Sequence, residues 1–225
     1  MKSKNLLLGY WNIRGRGNVV RNLLHYCNVP YEQKFYTKRA EWFNGDKYKV
    51  GFDFPNLPYI IDGDVKVAET TALLHYIAIR GNQKKLLGES EIDQVKVSEA
   101  ISTINDLRMA IRNVCFTKGD FKRDFEELIT KGQIKTLLTN FEKVFEKRDW
   151  VTGSLTIADF WLSEQVDVLL EIDSSKLDPY PNILRAHKKF IELPQVKEYR
   201  QSDRFFKVWY LPENGPTWNN GTKNE

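Results

Sequence analysis

The spacing of apolar residues changes once along this chain, and that change most constrains its fold. Before about residue 80, short strand-like runs alternate with helical segments. After about residue 90, apolar residues recur at intervals of three and four, as at positions 97, 100, 104, 107, 111 and 114. This switch predicts an α/β domain followed by an all-helical domain. A chain of 225 residues is long enough for both.

The α/β part has the predicted order β-α-β-(α)-β-β-α. Its strands are predicted at residues 6–8, 31–36, 59–61 and 65–68, and its helices at 19–26 and 70–79, with an irregular or weakly helical segment at 39–49. The rest predicts helices at 92–115, at 125–145, from about 157 to 172, and in two short pieces between 183 and 201. We therefore predict one domain at residues 1–83, a linker at 84–90 and an all-helical domain at 91–225.

Composition excludes several classes of protein. Acidic and basic residues are interspersed at a net charge of +4, so there is no basic stripe for nucleic acid. Cys27 and Cys115 lie within apolar helical patterns without metal-ligand spacing. No apolar run approaches the ~18 residues that span a bilayer, and the N-terminal leucines are too few for a signal peptide. We expect a cytoplasmic protein with no metal and with neither nucleic acid nor membrane as a partner.

Four motifs, in their order and spacing, resemble the cytosolic glutathione transferases, and in particular the mu class and its helminth relatives. They are GYWNIRG at 9–15, Arg21 six residues later, DFPNLPYIIDG at 53–63 and LTIADF at 155–160, which are spread over most of the chain. The resemblance implies a thioredoxin-like βαβαββα domain followed by an all-helical domain. It also implies a homodimer that conjugates glutathione, its co-substrate, to small hydrophobic electrophiles in detoxification.

Tyr10 is the predicted catalytic residue. A free thiol has a pKa of about 8.5, and lowering it by ~2 units requires ~2.7 kcal/mol. One hydrogen bond to a charged group contributes ~1.5–3 kcal/mol, and a phenol stays protonated at neutral pH and can donate it. The resemblance places Tyr10 at the family's thiolate-stabilising tyrosine. A buried core tyrosine is the alternative interpretation.

The resemblance implies that Trp11, Trp42 and Lys47 bind the glycine end of glutathione. Counting back from VGFDFP places Lys47 at the family's lysine, whereas counting forward from Trp42 reaches Asp46, so an ordinary surface lysine remains open.

Two residues open the helix at 70–79. The N–H groups of this helix N-terminus and the Thr70 hydroxyl suit the γ-glutamyl carboxylate, although Thr70 could equally be a simple cap, and Glu69 could pair with the α-amine. Glu69 stands where the mu class usually has glutamine. Asp106 is implied to reach the γ-glutamyl site of the partner subunit, with a solvated helix face as the alternative.

Pro58 stands directly before a predicted strand, where proline is tolerated only at the first residue, an edge or a bulge. The resemblance implies a cis Leu57–Pro58 bond that lets the Leu57 backbone pair with the cysteinyl backbone of glutathione, in the manner of an added strand. It further implies that Asn56 reaches other polar groups of the peptide and that Phe54 inserts into the partner subunit.

The resemblance implies an electrophile pocket formed by Ile13, Arg16, Met109, Arg112, Phe116, Trp209 and Tyr210. Arg16 and Arg112 replace the apolar residues that are more common there, which predicts a more polar pocket that tolerates anionic acceptors. Phe116 stands where mu enzymes often have a second tyrosine that assists epoxide opening, so we do not expect that chemistry.

Two other functions stay open at this point. The chain could be a carrier of glutathione or hydrophobic ligands with little turnover, or a glutathione-dependent isomerase closer to the sigma class. Tyr10 favours an enzyme over a carrier, because a carrier needs no group that stabilises a thiolate.

Overall fold

The structure, a computed structural model, describes residues 6–218, so the outer ends of both predicted domains lie outside it. The first part contains β1 (Leu6–Trp11), α1 (Gly15–Tyr26), β2 (Tyr31–Tyr36), a π-helical turn (Glu41–Asp46), β3 (Tyr59–Asp62), β4 (Val65–Ala68) and α2 (Thr70–Arg80). This confirms the predicted fold class. The helix α1 begins four residues earlier than predicted, because its first turn, GRGN, has no apolar periodicity to reveal it.

The four strands form one mixed sheet in the order β2-β1-β3-β4. Strand β1 runs parallel to β2 and antiparallel to β3, with Leu8 opposite Ile60. Both of these residues are fully buried in the core that the sheet shares with α1 and α2. The Leu57–Pro58 bond is cis, and Pro58 immediately precedes β3. The missing N–H of the proline therefore costs the sheet no hydrogen bond.

The second part is entirely helical among its described residues. It contains α3 (Glu91–Cys115), α4 (Phe121–Thr130), α5 (Gln133–Lys147), α6 (Ile157–Asp173), α7 (Pro181–Ile191) and α8 (Pro194–Gln201). Short 3₁₀ turns occur at Lys84–Leu87, Ser174–Leu177 and Pro212–Asn214. In the part of the chain that the structure covers, no helix has the length and apolar character needed to cross a membrane.

The single helix predicted at 125–145 is wrong, because the chain forms α4 and α5 with a break at Lys131 and Gly132. Both helices bury their apolar face in the same core, so the apolar spacing continues across the break. A Cβ on Gly132 would lie 2.9 Å from the Cα of Leu128, so only glycine fits this close approach.

A buried cluster of charged side chains joins the two parts of the chain. Arg14, just before α1, donates through Nε to Glu164 at 3.0 Å and through Nη2 to Asp167, both on α6. His187 Nε2 lies 3.0 Å from Asp167, and Arg200 Nη1 donates to the same carboxylate at 2.7 Å. Two guanidinium groups thus balance two carboxylates, as buried charges require.

Candidate active site

A cavity of about 300 Å³ lies between the end of β1, helices α3 and α6, and the C-terminal segment. Nine of the residues predicted from the sequence line it. They are Tyr10, Trp11, Ile13, Arg16, Leu57, Arg112, Phe116, Trp209 and Tyr210. Residues from both ends of the chain therefore meet at one site.

Tyr10 is placed in this cavity by tight packing at the start of α1. A Cβ on Gly17 would lie 2.3 Å from the Tyr10 ring, and one on Gly15 would lie 2.9 Å from its hydroxyl. The backbone N–H of Arg16 donates to the Tyr10 hydroxyl oxygen at 3.1 Å. Because that oxygen already accepts a hydrogen bond, the hydroxyl proton is available for a group in the cavity.

The electrostatics keep Tyr10 protonated. Burial raises the pKa of its hydroxyl, and the nearby charges of Arg16 and Arg21 offset this only in part. Arg21 is fully buried, donates to the carbonyl of Ile13 at 2.9 Å and so fixes the loop that follows β1. A protonated phenol at the positive end of a helix is suited to stabilise an anion beside it.

A second group of predicted residues surrounds the N-terminus of α2. Glu69, not Thr70, is the residue before the first helical turn, and its φ of 71° is rare for a non-glycine residue. The Thr70 side chain is buried, and its hydroxyl has no hydrogen-bond partner among residues 6–218. Thr70 therefore does not cap this helix, and an unpaired buried donor lies beside an anion-attracting helix terminus.

Asn56 and Leu57 extend this group. Asn56 Nδ2 donates to Glu69 at 2.6 Å, and Asn56 Oδ1 accepts from the Leu57 N–H at 2.9 Å. The Leu57 N–H that was predicted to pair with a peptide thus donates to its neighbour.

The aromatic residues predicted for the glycine end lie next to these groups. Trp42 is buried and stacks on Tyr59 with ring centroids 5.9 Å apart, while Trp11 packs against Tyr36 at 6.0 Å. Lys47 is partly exposed, with Nζ 5.3 Å from the Phe43 ring.

Of the two positions considered for the family's lysine, Asp46 is already engaged. Lys34 donates to its carboxylate at 2.5 Å and Tyr36 donates to it at 2.7 Å. Of the two positions, only Lys47 carries a positive charge that can pair with a carboxylate.

Three further predicted residues lie outside both the cavity and the groups described above. Asp106 is exposed on α3, and Phe54 is 80% exposed before β3. Met109 was expected in the electrophile pocket, but it is 41% exposed and Arg108 lines the cavity instead. Arg108, Arg112 and Phe116 follow one another at intervals of four residues on one face of α3. This spacing in the sequence could have identified Arg108 as a lining residue.

Sequence reasoning also missed the wall provided by α6. Trp161, Glu164, Gln165 and Val168 follow the spacing of one helix face and line the cavity, as do Leu211 and Asn214 near the C-terminal end of the described chain. The helix α6 is buried on all sides over most of its length, so its sequence gave no sign of which face meets a cavity. Within residues 6–218, no group of three or more His, Cys, Asp or Glu side chains is arranged to hold a metal ion.

Comparison with known proteins agrees with this geometry. The family model for the glutathione S-transferase N-terminal domain matches residues 7–79, and that for the C-terminal domain matches residues 105–203. The chain is 34% identical over 211 residues to glutathione S-transferase Mu 1 of Bos taurus, in an alignment that covers 89% of this chain and 92% of that protein. It is equally 34% identical to glutathione S-transferase Mu 4 of Homo sapiens, covering 89% and 93% of the two chains.

A solved structure shows the same architecture. The crystal structure of the glutathione S-transferase Blo t 8 superposes with a TM-score of 0.77 at 29% identity, covering 88% of this chain and 93% of that chain. Sequence and fold agree over both the sheet domain and the helical domain. The chain therefore belongs to the glutathione S-transferase family and is similar to its mu class.

Proposed function

We propose that this protein conjugates the thiolate of glutathione to electrophilic small molecules, with the Tyr10 hydroxyl stabilising the thiolate. The observation that carries the proposal is the buried Tyr10 hydroxyl, which lines the cavity and accepts from the Arg16 N–H at 3.1 Å. One hydrogen bond from this phenol to sulfur contributes ~1.5–3 kcal/mol. That is enough to lower a thiol pKa by ~1–2 units and to make thiolate abundant at neutral pH.

The peptide is proposed to lie along the surface from α2 to the π-helical turn. Its γ-glutamyl carboxylate would accept hydrogen bonds from the Thr70 hydroxyl and from the N–H groups at the start of α2. The Thr70 hydroxyl has no hydrogen-bond partner in the described chain. Its cysteinyl backbone would pair with Leu57, helped by Asn56 and the cis bond to Pro58. Glu69 would pair with the α-amine through a charged carboxylate.

The glycine end of the peptide is proposed to lie against Trp11, Trp42 and Lys47. Trp11 lines the cavity, and the Lys47 ammonium lies among aromatic rings beside the π-helical turn. A lysine can bind a terminal carboxylate as a point charge.

The protein is further proposed to act as a homodimer. Phe54 is a large apolar side chain that is 80% exposed, which suits a key that inserts into a second copy of the chain. Asp106 is exposed on α3 and would contribute to the γ-glutamyl site of the partner subunit. We also propose that the first domain ends at residue 83 and the second begins at residue 91. The protein is further proposed to be cytoplasmic and to act in detoxification.

Retention on immobilised glutathione and conjugation of 1-chloro-2,4-dinitrobenzene test the function. Tyr10→Phe is expected to raise the pKa of the bound thiol by ~1–2 units and to lower kcat/KM at neutral pH by about tenfold or more. Tyr76→Phe is the matched control, because its hydroxyl bonds to Asp62 at 2.9 Å and it does not line the cavity. Unchanged turnover and thiol pKa in Tyr10→Phe would refute the mechanism, and binding without turnover in the wild type would identify a carrier.

A further inference from the structure

Three arginine side chains line the cavity without a carboxylate partner. They are Arg16 at the start of α1, and Arg108 and Arg112 on α3. Within residues 6–218, none of the three forms an ion pair with an acidic side chain. Arg112 instead lies over the Phe116 ring at 4.6 Å, and Arg108 Nη2 contacts the sulfur of Met109 at 3.2 Å. Neither contact neutralises a positive charge.

The acidic residue that lines the cavity does not compensate these charges. Glu164 already accepts from Arg14 at 3.0 Å and from Asn18 Nδ2 at 2.6 Å. It belongs to the buried charged cluster between the domains, in which two carboxylates face two guanidinium groups. The charges of the three cavity arginines therefore remain unbalanced by the described lining residues.

Two donors in the cavity wall also lack acceptors. Arg108 Nε and Trp161 Nε1 are buried and have no hydrogen-bond partner in the part of the chain that the structure describes. Burial and repulsion from Arg16 together lower the pKa of Arg108 to about 10. A buried unpaired donor and a desolvated charge are both costly, and a ligand that brings an anionic acceptor removes both costs.

The spacing on α3 suits an anion attached to an aromatic ring. Arg108, Arg112 and Phe116 follow one another at intervals of four residues, or about 6 Å along the helix, on one face. Tyr210 meets Phe116 edge to face with centroids 4.9 Å apart, which extends the aromatic wall. Guanidinium groups bind planar oxyanions in pairs of hydrogen bonds, while the aromatic wall packs against the ring.

We propose that the acceptor substrate is an aromatic electrophile with a carboxylate or sulfonate substituent, which Arg108 and Arg112 bind while Arg16 adds to the positive field. This inference rests on the proposed transferase function and names its substrate class. The electrophilic carbon would lie near Tyr10, where the glutathione sulfur is expected, and the acidic substituent near α3.

The probe for this step is 4-chloro-3,5-dinitrobenzoate, compared with its neutral amide. Glutathione first releases its thiol proton to solvent. The thiolate electron pair then forms a C–S bond at the carbon that bears chlorine, and the nitro-substituted ring holds the extra pair. The C–Cl bond breaks, and chloride leaves with its bonding pair to give a thioether with no net oxidation or reduction.

Turnover of the two probes measures the effect of the charge. Each kcat/KM is divided by the rate constant of the uncatalysed reaction with glutathione, which corrects for their different reactivity. In the wild type, the corrected kcat/KM is expected to be at least tenfold higher for the carboxylate than for the amide. This ratio is expected to fall at high salt. Arg108→Gln and Arg112→Gln are each expected to reduce this ratio at least fivefold.

The matched control is Arg123→Gln. Arg123 is an exposed arginine on α4 that does not line the cavity. Its replacement by glutamine removes the same net charge as either cavity substitution. Its ratio is expected to stay within twofold of the wild type. A wild-type ratio near one, or a ratio unchanged in both cavity variants, overturns the inference while conjugation of 1-chloro-2,4-dinitrobenzene still supports the proposed function.

Equilibrium binding tests the part of the inference that concerns the arginines, the preference of the cavity for an anion, without relying on turnover. Calorimetry with 3,5-dinitrobenzoate and 3,5-dinitrobenzamide is expected to show at least tenfold tighter binding of the acid, and Arg112→Gln is expected to remove this preference. Equal dissociation constants overturn the inference. So does an Arg112→Gln variant that loses as much affinity for glutathione as for the benzoate, since the arginines would then serve the peptide.

Discussion

Replacing Thr70 by valine separates a role in ligand binding from a role in folding. Thr70 is buried at the start of α2, and its hydroxyl has no partner in residues 6–218. Valine has nearly the same shape but no hydroxyl, so Thr70→Val removes a donor without opening a cavity. The variant therefore removes one hydrogen-bonding group at nearly constant side-chain volume.

The two expected effects have different signs. The free energy of unfolding of the ligand-free protein should stay the same or rise by about 1 kcal/mol, because a buried unpaired polar group is removed. A hydrogen bond to a charged carboxylate contributes ~1.5–3 kcal/mol, so the dissociation constant for glutathione should rise by ~10- to 150-fold.

Calorimetric titration with glutathione and unfolding in urea measure the two quantities. Thr71→Val is the matched control, because it makes the same substitution one residue later in the same helix turn at a less buried position. Its dissociation constant is expected to lie within about twofold of the wild type, and its helix-propensity cost is the same. Loss of stability in Thr70→Val beyond that of Thr71→Val, with unchanged glutathione affinity, would show that the hydroxyl is structural and refute the reasoning.

Three further predictions concern assembly, pH and the buried charges. Phe54→Ala should raise the dimer dissociation constant at least tenfold in sedimentation experiments, and an unchanged value contradicts the proposed interface. Burial and the charge of Arg204 lower the pKa of His25 to about 4. Since an unfolded histidine has a pKa of about 6.5, the unfolded chain takes up this proton first, and the folded protein loses stability as pH falls from ~6.5 towards ~4. His25→Gln should therefore lose less stability than the wild type between pH ~7.5 and ~5 in urea unfolding. Asp167→Asn should lower the free energy of unfolding by ~3–5 kcal/mol, because Arg14 and Arg200 lose a shared buried partner; a change below ~1 kcal/mol contradicts this.

Much of the site could be predicted because its motifs are local. Tyr10, Leu57 and Pro58 lie in short stretches whose order along the chain carries the family resemblance. The structure brings Tyr10 and Leu57 to the same cavity. Met109 does not line the cavity whereas its neighbour Arg108 does, because adjacent residues of one helix differ by about 100° in direction and family position alone did not resolve which of them turns inward.

The two-part architecture follows from the amino-acid sequence alone, since apolar spacing indicates which face of each element is buried. The family resemblance of the GYW motif also identified Tyr10 as the candidate hydrogen-bond donor to the thiolate. The break between α4 and α5, the unpaired Thr70 hydroxyl and the charge balance of the cavity are visible only in the folded chain. These depend on which groups meet across the fold. Arg14 and Glu164 are 150 positions apart, and their pairing is what leaves the three cavity arginines uncompensated.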